Sequence, residues 1–229
     1  MIISISGKIG AGKDTVGTIV QYLVHTKGIV DLEYFEEFSS NSDFNRENFS
    51  EWQINKFADK LKNIACIMLS CTREQLEDQE FKKTFLPVEW GYLKTPTTHQ
   101  LMTVREFLQR LGTDAMRNGL HENVWVNSLM SDYKLNSYTR LNVTYIASKL
   151  PNWIITDTRF PNELEAVKSK EAITIKVTRN WGSTENLFNN HPSETALDDA
   201  EFDYEIVNDG TMENLIQKVK QILIKESII

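Results

Sequence analysis

A glycine-rich segment near the start of the chain constrains the fold more than any other part of the sequence. It reads Gly7-Lys8-Ile9-Gly10-Ala11-Gly12-Lys13-Asp14-Thr15 and directly follows the apolar run Ile2-Ile3-Ser4-Ile5. Glycines at this spacing let the backbone curl so that successive N–H groups converge on an anion, and a helix beginning near Lys13 adds its positive end. A strand, a phosphate-binding loop and a helix in this order predict an α/β fold that binds a nucleoside polyphosphate.

The loop departs from the usual Walker A pattern, GxxxxGK[ST], at one position. Asp14 stands where a hydroxyl normally follows the lysine, and Thr15 comes one residue later. We expect Lys13 to hold the β- and γ-phosphates, and Asp14 and Thr15 to serve the phosphates and Mg²⁺, which prefers hard oxygen ligands. The alternative is a glycine turn that merely leads into a capped helix. The predicted phosphate-binding residues are Gly7, Lys8, Gly10, Ala11, Gly12, Lys13, Asp14 and Thr15.

Composition and charge narrow the classes of partner. The chain has 229 residues, 41% of them hydrophobic and 25% charged, which predicts a single α/β domain over residues 1–229, either as one large unit or as a core with an inserted subdomain. A net charge of −7 argues against a polymeric nucleic acid as partner. No apolar run approaches the ~20 residues that cross a bilayer, and we expect neither a signal segment nor a membrane partner. Cys66 and Cys71 lack metal-ligand spacing, which favours free thiols and a reducing, cytoplasmic location.

Apolar periodicity predicts strands that alternate with helices, and this order is typical of a parallel sheet covered on both faces. The predicted strands are Ile2–Ser6, 53–57, 153–156, 173–177 and Tyr204–Val207. The predicted helices are 15–26, 59–70, 103–118, 123–135, 162–169 and a C-terminal helix beginning near Thr211. Residues 36–51 and 80–99 are expected to be irregular, and the polar segment 181–199 to be a lid.

Charged residues follow two of the predicted strands, where ligands bind in open α/β sheets. Asp157 and Arg159 come after the strand at 153–156. We expect Asp157 to position the metal, and Arg159 to neutralise charge on a transferred phosphoryl group. The alternative for this pair is a weak surface ion pair in a turn. Arg179 ends a further strand, where it is either a phosphate ligand of the lid or an ordinary surface cation.

Two further segments are candidates for a second ligand. Phe57 could offer a face for base stacking, and Lys60 or Lys62 a phosphate contact, although a helix cap at Asp59 followed by solvated lysines explains the same residues. A polar stripe recurs at every fourth position of the predicted helix 103–118, beside Gly112, which would permit close approach of a ligand. The stripe is either a solvated helix face or part of the site. Its members are Arg105, Gln109, Thr113 and Arg117.

Together these segments resemble the bacteriophage-type deoxynucleoside monophosphate kinases, within the wider group of P-loop nucleoside and nucleotide kinases. The most specific matches are Gly12-Lys13-Asp14-Thr15 and Asp157-Thr158-Arg159-Phe160-Pro161-Asn162-Glu163. The other matching segments are Phe57-Ala58-Asp59-Lys60-Leu61-Lys62, Arg105-Glu106-Phe107-Leu108-Gln109 with Gly112-Thr113, Trp125-Val126, His191-Pro192-Ser193-Glu194 and Asn208-Asp209-Gly210-Thr211.

The resemblance implies a three-layer α/β/α P-loop NTPase fold with a parallel five-stranded sheet, a helical acceptor-binding region at about 58–150 and a lid at 180–199. It implies ATP with Mg²⁺ as phosphoryl donor and a deoxynucleoside 5′-monophosphate as acceptor. A homodimer is compatible with this family type, and a phage-encoded member would act in the host cytoplasm.

The resemblance also implies a role for each candidate residue. The implied catalytic residues are Lys13, Asp157 and Arg159, with Arg179 as a phosphate ligand of the lid. The implied metal-binding residues are Asp14, Thr15 and Asp157, and the implied adenine-side residues are Asn208, Gly210 and Thr211. The implied acceptor-binding residues are Phe57, Lys62, Arg105, Gln109, Thr113 and Arg117.

Two other functions fit the same loop. One is a P-loop kinase of another small metabolite, which would differ in its acceptor alone. The other is a nucleotide-binding switch or ATPase without an acceptor. The sequence contains no guanine-reading N-K-x-D segment, which argues against a GTP-dependent switch. The base that is accepted stays open, because a few hydrogen bonds and the pocket shape decide it.

Overall fold

The computed structural model describes residues 1–40, 51–90, 92–94, 99–135, 137–140, 143–146, 149–179 and 192–229. The chain divides into two compact units. Unit 1 comprises Met1–Lys56 and Tyr133–Ile229, and unit 2 comprises Phe57–Asp132. The predicted acceptor region, 58–150, overlaps unit 2, whereas its last part, from Tyr133 onward, belongs to unit 1.

The helices and strands are as follows. The strands are β1 (Ile2–Ser6), β2 (Trp52–Asn55), β3 (Tyr92–Lys94), β4 (His99–Leu101), β5 (Ser137–Arg140), β6 (Val143–Ile146), β7 (Asn152–Thr158), β8 (Ile173–Thr178) and β9 (Tyr204–Val207). The helices are α1 (Lys13–His25), α2 (Leu32–Ser40), α3 (Ala58–Leu69), α4 (Arg73–Glu77), α5 (Gln79–Lys83), α6 (Val104–Gln109), α7 (Val124–Met130), α8 (Pro161–Lys168), α9 (Pro192–Thr195) and α10 (Met212–Lys225). A 3₁₀ turn spans Val88–Trp90, and a π-helix, Arg110–Asn118, continues α6.

Unit 1 is built on a five-stranded, all-parallel sheet in the order β2-β7-β1-β8-β9. The central strand β1 pairs on one side with β7 and on the other with β8, so that Ile3 lies beside both Ile154 and Ile173. Every residue of β1 is buried, as expected for a strand with neighbours on both edges and helices over its faces. The predicted α/β fold with a parallel five-stranded sheet is confirmed.

A single apolar core holds the phosphate-binding loop at both of its ends. Ile5 of β1, Ile19 and Leu23 of α1, and Ile216 of α10 belong to one cluster and are fully buried. Burying one such side chain contributes roughly 1.5–3 kcal/mol. Since β1 precedes the loop and α1 follows it, the loop is fixed between two elements of the core.

Unit 2 has a smaller core of its own. The buried residues of this core come from α3, α4, α6, the segment after α5 and the segment leading into α6, and they are Ala65, Leu76, Leu86, Met102, Val104 and Phe107. On its surface, Arg73 donates hydrogen bonds to the carboxylates of Asp59 and Glu77. Helix α6 begins with a capping box, in which Thr103 and Glu106 satisfy each other's backbone N–H groups.

Several element boundaries differ from the prediction. Residues 80–99 contain the end of α5 and part of the antiparallel hairpin β3–β4, and a second hairpin, β5–β6, follows α7. The helix predicted to run to residue 135 ends at Met130. The hairpin strands are short and mix polar with apolar residues, and three of them, Tyr92–Lys94, His99–Leu101 and Ser137–Arg140, contain no apolar run that would mark them as strands.

The structure describes only part of two segments that were expected to lie on the surface. Residues 36–40 are the end of α2 rather than a loop. Residues 41–50 and 180–191 lie outside the described residues, and with them lie His191 and most of the expected lid. Within the described ranges, no helix combines the length and apolar character of a membrane span.

Candidate active site

The loop between β1 and α1 has the backbone that a phosphate cradle requires. Gly7 has φ +153°, and a Cβ at this position would lie 2.3 Å from the carbonyl oxygen of Val177 in β8. Gly12 has φ +99°, a backbone angle that residues with a Cβ rarely adopt. The first intrahelical bond of α1 runs from the N–H of Val16 to the carbonyl of Gly12, 2.9 Å. The positive N-terminal end of α1 therefore lies directly at the end of the loop, where it favours a bound anion.

Lys13 is folded inward over this loop. Its side chain is buried, and Nζ donates hydrogen bonds to the carbonyl oxygens of Gly7 (2.7 Å) and Lys8 (2.8 Å). Burial, reinforced by the neighbouring cation of Arg159, lowers the pKa of Lys13 to about 8. Nearby carboxylates oppose this lowering, and they are Glu194, Asp14 and Asp157. The structure thus brings Lys13 together with Asp14, Asp157 and Arg159, as the sequence predicts.

Asp14 is held by two residues that sequence reasoning missed. Its Oδ1 accepts a hydrogen bond from Thr156 Oγ1 (2.6 Å) and pairs with Lys56 Nζ (2.8 Å). The Asp14 side chain is 70% exposed, yet nearby protein atoms desolvate it in part and raise its pKa; these hydrogen bonds and the charges of Lys56 and Lys13 outweigh that effect, so that the pKa lies below its usual value. Thr156 and Lys56 both stand at the carboxyl ends of sheet strands, which is the signal that could have found them.

Asp157 lies inside β7 rather than just beyond its end. The strand runs on to Thr158 because Ser6 pairs with Thr158 in the sheet, and the Ser4 and Thr158 hydroxyl groups are hydrogen-bonded at 2.7 Å. Asp157 is half-buried and acts electrostatically on Lys13. Its predicted place beside the loop is retained, although the strand boundary was two residues short.

Arg159 is fixed at both its backbone and its guanidinium group. Its N–H and that of Phe160 donate to Glu163 Oε2, at 2.8 and 3.1 Å, and Glu163 is only 1% exposed. At the other end, Arg159 Nη1 donates to Glu194 Oε1 at 2.7 Å. The second oxygen of Glu194 accepts the backbone N–H of Ile9, in the phosphate-binding loop, at 2.6 Å. Glu163 and Glu194 lie in segments that carry the family resemblance, but the sequence alone indicated no role for either residue.

The residues after β8 and β9 approach the loop differently. Asn208 Nδ2 donates to the carbonyl oxygen of Ala11 at 2.9 Å, so that β9 supports the loop directly. Thr211 is the N-cap of α10, and its hydroxyl accepts the N–H of Asn214 at 3.3 Å. Arg179 is exposed immediately after β8. An adenine-side role for Asn208, Gly210 and Thr211, and a phosphate role for Arg179, stay predictions.

The donor set beside the loop fits Mg²⁺ that arrives with a nucleotide. Asp14 and Asp157 offer carboxylate oxygens and Thr15 a hydroxyl group, all hard ligands. Among the described residues, no group of three or more His, Cys, Asp or Glu side chains forms a metal site by itself. Protein sites for Mg²⁺ at phosphates commonly use one or two carboxylates, with water and phosphate oxygens completing the shell. An all-protein cage is therefore not required here.

In unit 2, three of the predicted acceptor residues are seen engaged within the protein, and one of them is Arg105, whose Nη2 donates a hydrogen bond to Gln79 Oε1 at 2.9 Å. Lys62 Nζ contacts both carboxylate oxygens of Glu77, at 2.7 and 2.8 Å, and its side chain is 15% exposed. Phe57 is 2% exposed, so the stacking face expected of it is covered in this structure. The alternative, a helix cap at Asp59, is wrong, because the helix begins at Ala58 with Phe57 as its N-cap and Asp59 lies in its first turn. The roles of Phe57 and Lys62 stay predictions.

The polar stripe of unit 2 spans an α-helix and a π-helix. Arg105 and Gln109 belong to α6, whereas Thr113 and Arg117 belong to the π-helix that continues it. In an α-helix, a step of four residues overshoots one turn by about 40°. A π-helix closes its hydrogen bonds over five residues, so a step of four falls short of a turn. The two drifts oppose each other, which keeps the four side chains on one helical face.

Gly112 packs against protein and not against open space. A Cβ at this position would lie 2.9 Å from Cδ2 of Leu61 in α3. The carbonyl oxygen of Gly112 accepts a hydrogen bond from Trp125 Nε1 at 3.0 Å. The absence of a side chain at Gly112 thus allows close packing against α3. Leu61 occupies the space in which the approach of a ligand was expected.

Comparison with known proteins gives a family model and three relatives that all carry the same description. The family model for deoxynucleotide monophosphate kinase matches residues 22–219. The deoxynucleotide monophosphate kinases of Escherichia phage RB69 and Enterobacteria phage T4 are each 32% identical over 121 residues. These matches cover 53% of this chain and 45% of each relative. A putative deoxynucleotide monophosphate kinase of Acanthamoeba polyphaga mimivirus is 25% identical over 230 residues, or 96% of this chain and 94% of the relative.

The family model begins within α1, beyond the phosphate-binding loop, and extends into α10. The loop is thus recognised by its own sequence and geometry, independently of the family match. Both observations agree with the resemblance that the motifs indicated. The chain belongs to the deoxynucleotide monophosphate kinase family.

Proposed function

We propose that this protein transfers the γ-phosphoryl group of ATP to a deoxynucleoside 5′-monophosphate, forming ADP and the deoxynucleoside diphosphate. The observation that carries the proposal is the position of Lys13, folded over a glycine loop and electrostatically coupled to Arg159. Membership of the deoxynucleotide monophosphate kinase family supports the choice of acceptor.

The proposed chemistry needs positioning and charge neutralisation more than proton transfer. An oxygen of the acceptor phosphate bonds to the γ-phosphorus, and the bond from that phosphorus to the β–γ bridging oxygen breaks. The attacking oxygen is already anionic, so no strong general base is required. Lys13 would exchange its two carbonyl contacts for phosphate oxygens, while Arg159 would neutralise charge on the group in transit.

Mg²⁺, when bound, would neutralise the donor phosphates. Asp14, Thr15 and Asp157 are the residues proposed to hold it. Thr156 and Lys56 both engage Oδ1 of Asp14, and this fixes the carboxylate beside the loop. A carboxylate so oriented can meet the metal directly or through a bound water, as Mg²⁺ often retains its waters.

The proposed acceptor-binding residues lie in unit 2. Their spacing of four residues across α6 and the π-helix favours one shared helical face for Arg105, Gln109, Thr113 and Arg117. Arginines suit the phosphate of the acceptor, because a guanidinium binds two oxygens at once. Glutamine and threonine suit the base or sugar. ATP and the acceptor are the partners required, and a homodimer in the host cytoplasm is compatible with the proposal.

The test measures ADP release from ATP and Mg²⁺ with dTMP, dGMP, dCMP, dAMP, their ribonucleotide counterparts, or no acceptor. Stimulation by one or a few deoxynucleotides, with diphosphate formed in equal amount, supports the proposal and identifies the base. Lys13→Ala should lose this activity, while Lys134→Ala, at an exposed lysine, should retain it. ATP hydrolysis independent of every acceptor would instead indicate an ATPase or switch. Turnover with another phosphate ester alone would indicate a metabolite kinase.

A further inference from the structure

Glu194 connects the phosphate-binding loop to Arg159 through a single carboxylate. Oε2 accepts the N–H of Ile9 and Oε1 accepts Nη1 of Arg159, and the side chain is only 6% exposed. We infer that Glu194 is a positioning residue that aims the guanidinium of Arg159 at the phosphoryl group in transit. This inference rests on the proposed kinase function and concerns a residue to which the motifs assign no task.

The first argument is that both oxygens of the carboxylate are used by separate elements of the site. Ile9 is part of the loop, and its backbone N–H donates a hydrogen bond to Oε2 of Glu194. Oε1 then fixes where Nη1 of Arg159 lies relative to that loop. Because Glu163 holds the backbone of Arg159, the remaining freedom is in its side chain. Glu194 restricts that freedom, and a guanidinium with five donors can pair with a carboxylate and still contact phosphate.

The second argument is that the segment carrying Glu194 is itself held on unit 1. Lys176 in β8 donates to the carbonyl oxygens of Leu197 (3.4 Å) and Asp198 (2.7 Å). Lys8 of the loop also pairs with the Asp198 carboxylate at 3.2 Å, although both side chains of that pair are well exposed. These contacts hold the segment beside the loop, which favours a fixed orientation of Glu194.

The third argument is electrostatic. Arg159 and Lys13 both carry a positive charge, and the two side chains repel each other until a nucleotide binds. The carboxylate of Glu194 pairs directly with Arg159, at 2.7 Å, and so offsets one of the two positive charges. The Glu194 carboxylate therefore allows two cations to be held at one anion-binding site before the nucleotide binds. This preorganisation lowers the cost of reaching the transition state.

The test is a double-mutant cycle with Glu194→Gln, Arg159→Ala and both together, measured as acceptor-dependent ADP release. Glu194→Gln should lower kcat about 10- to 100-fold, because misplacing a catalytic group costs this much, with little change in the KM for ATP. In the Arg159→Ala background, the same change should cause no further loss. Asp199→Asn, at an exposed carboxylate of the same segment, is the matched control and should leave kcat unchanged.

A readout without substrates is the solvent exchange of the Ile9 amide proton, followed by NMR. Exchange should become at least about tenfold faster in Glu194→Ala and stay unchanged in Asp199→Asn, since exchange reports local opening. Unchanged protection in Glu194→Ala would overturn the inference.

The kinetic outcomes separate this inference from the proposed function. Additive losses in the cycle would overturn the positioning role while leaving the kinase assignment intact. Tighter ATP binding with faster turnover in Glu194→Gln would also overturn it, because the carboxylate would then be competing with phosphate. Wild-type protein without acceptor-dependent turnover would refute the proposed function itself.

Discussion

Replacing Lys13 by methionine should change how the stability of the protein depends on pH. The folded protein holds the ammonium group buried, and burial lowers the pKa of Lys13 from 10.5 to about 8. This difference corresponds to a cost of about 3 kcal/mol for keeping the charge in the folded state at neutral pH. The side chain is 8% exposed, so solvent screening removes little of that cost. Methionine keeps a similar volume and carries no charge.

The direction of the effect follows from proton binding. Between pH 8 and pH 10.5 the folded protein has released the Lys13 proton, whereas the unfolded chain still holds it. Stability rises with pH wherever the unfolded state binds more protons, so the cost is full below pH 8 and disappears above about pH 10.5. Relative to Lys13→Met, the wild type should gain about 2 kcal/mol between pH 7 and pH 10.

The measurement is urea denaturation of both proteins, followed by circular dichroism, at pH 7 and pH 10 without nucleotide. Taking the difference between the two proteins cancels the other lysines and tyrosines that titrate in this range. Lys134→Met, at an exposed lysine, should follow the wild type at both pH values. A wild-type minus Lys13→Met difference that is the same at pH 7 and pH 10 would refute the argument that the Lys13 ammonium is desolvated.

Three further substitutions test the geometry of the loop. Gly7→Ala should cost at least about 2 kcal/mol of stability, measured by thermal denaturation, because the new Cβ meets a carbonyl oxygen of β8 at 2.3 Å. Asn208→Ala removes the hydrogen bond to the carbonyl of Ala11 and should weaken ATP binding, measured by calorimetry, about fivefold to tenfold. Thr156→Val removes a donor to Asp14 and should raise the Mg²⁺ concentration needed for half-maximal ATP binding, with ATP binding in EDTA unchanged.

The sheet and the loop were within reach of sequence reasoning because their signals are local. A buried strand shows as an apolar run, as in β1, and the loop shows as glycines at fixed spacing before a lysine. The positions of Asp157 and Arg159 beside Lys13 followed from the rule that strand ends meet at one edge of a sheet. These expectations depend on topology, which a pattern of alternating elements specifies.

The contacts that escaped prediction join residues far apart in the sequence. Nothing near Glu194 indicates that its carboxylate meets Ile9 and Arg159, and nothing near Lys62 indicates its pairing with Glu77. The π-helix was also missed, because a change from four-residue to five-residue hydrogen bonding leaves the apolar spacing almost unaltered. Such features depend on tertiary packing, which a single sequence does not reveal.

The interruption of unit 1 by unit 2 has a consequence for the order of folding. Residues 57–132 are contiguous, and their contacts can form as soon as that stretch has left the ribosome. The strand β1, in contrast, lacks both of its neighbours until β7 and β8 have been synthesised. Pairings of such long range are slow to close. A nascent chain truncated before β7 would thus carry the whole glycine loop yet be unable to hold it in shape, so phosphate binding should appear late in synthesis.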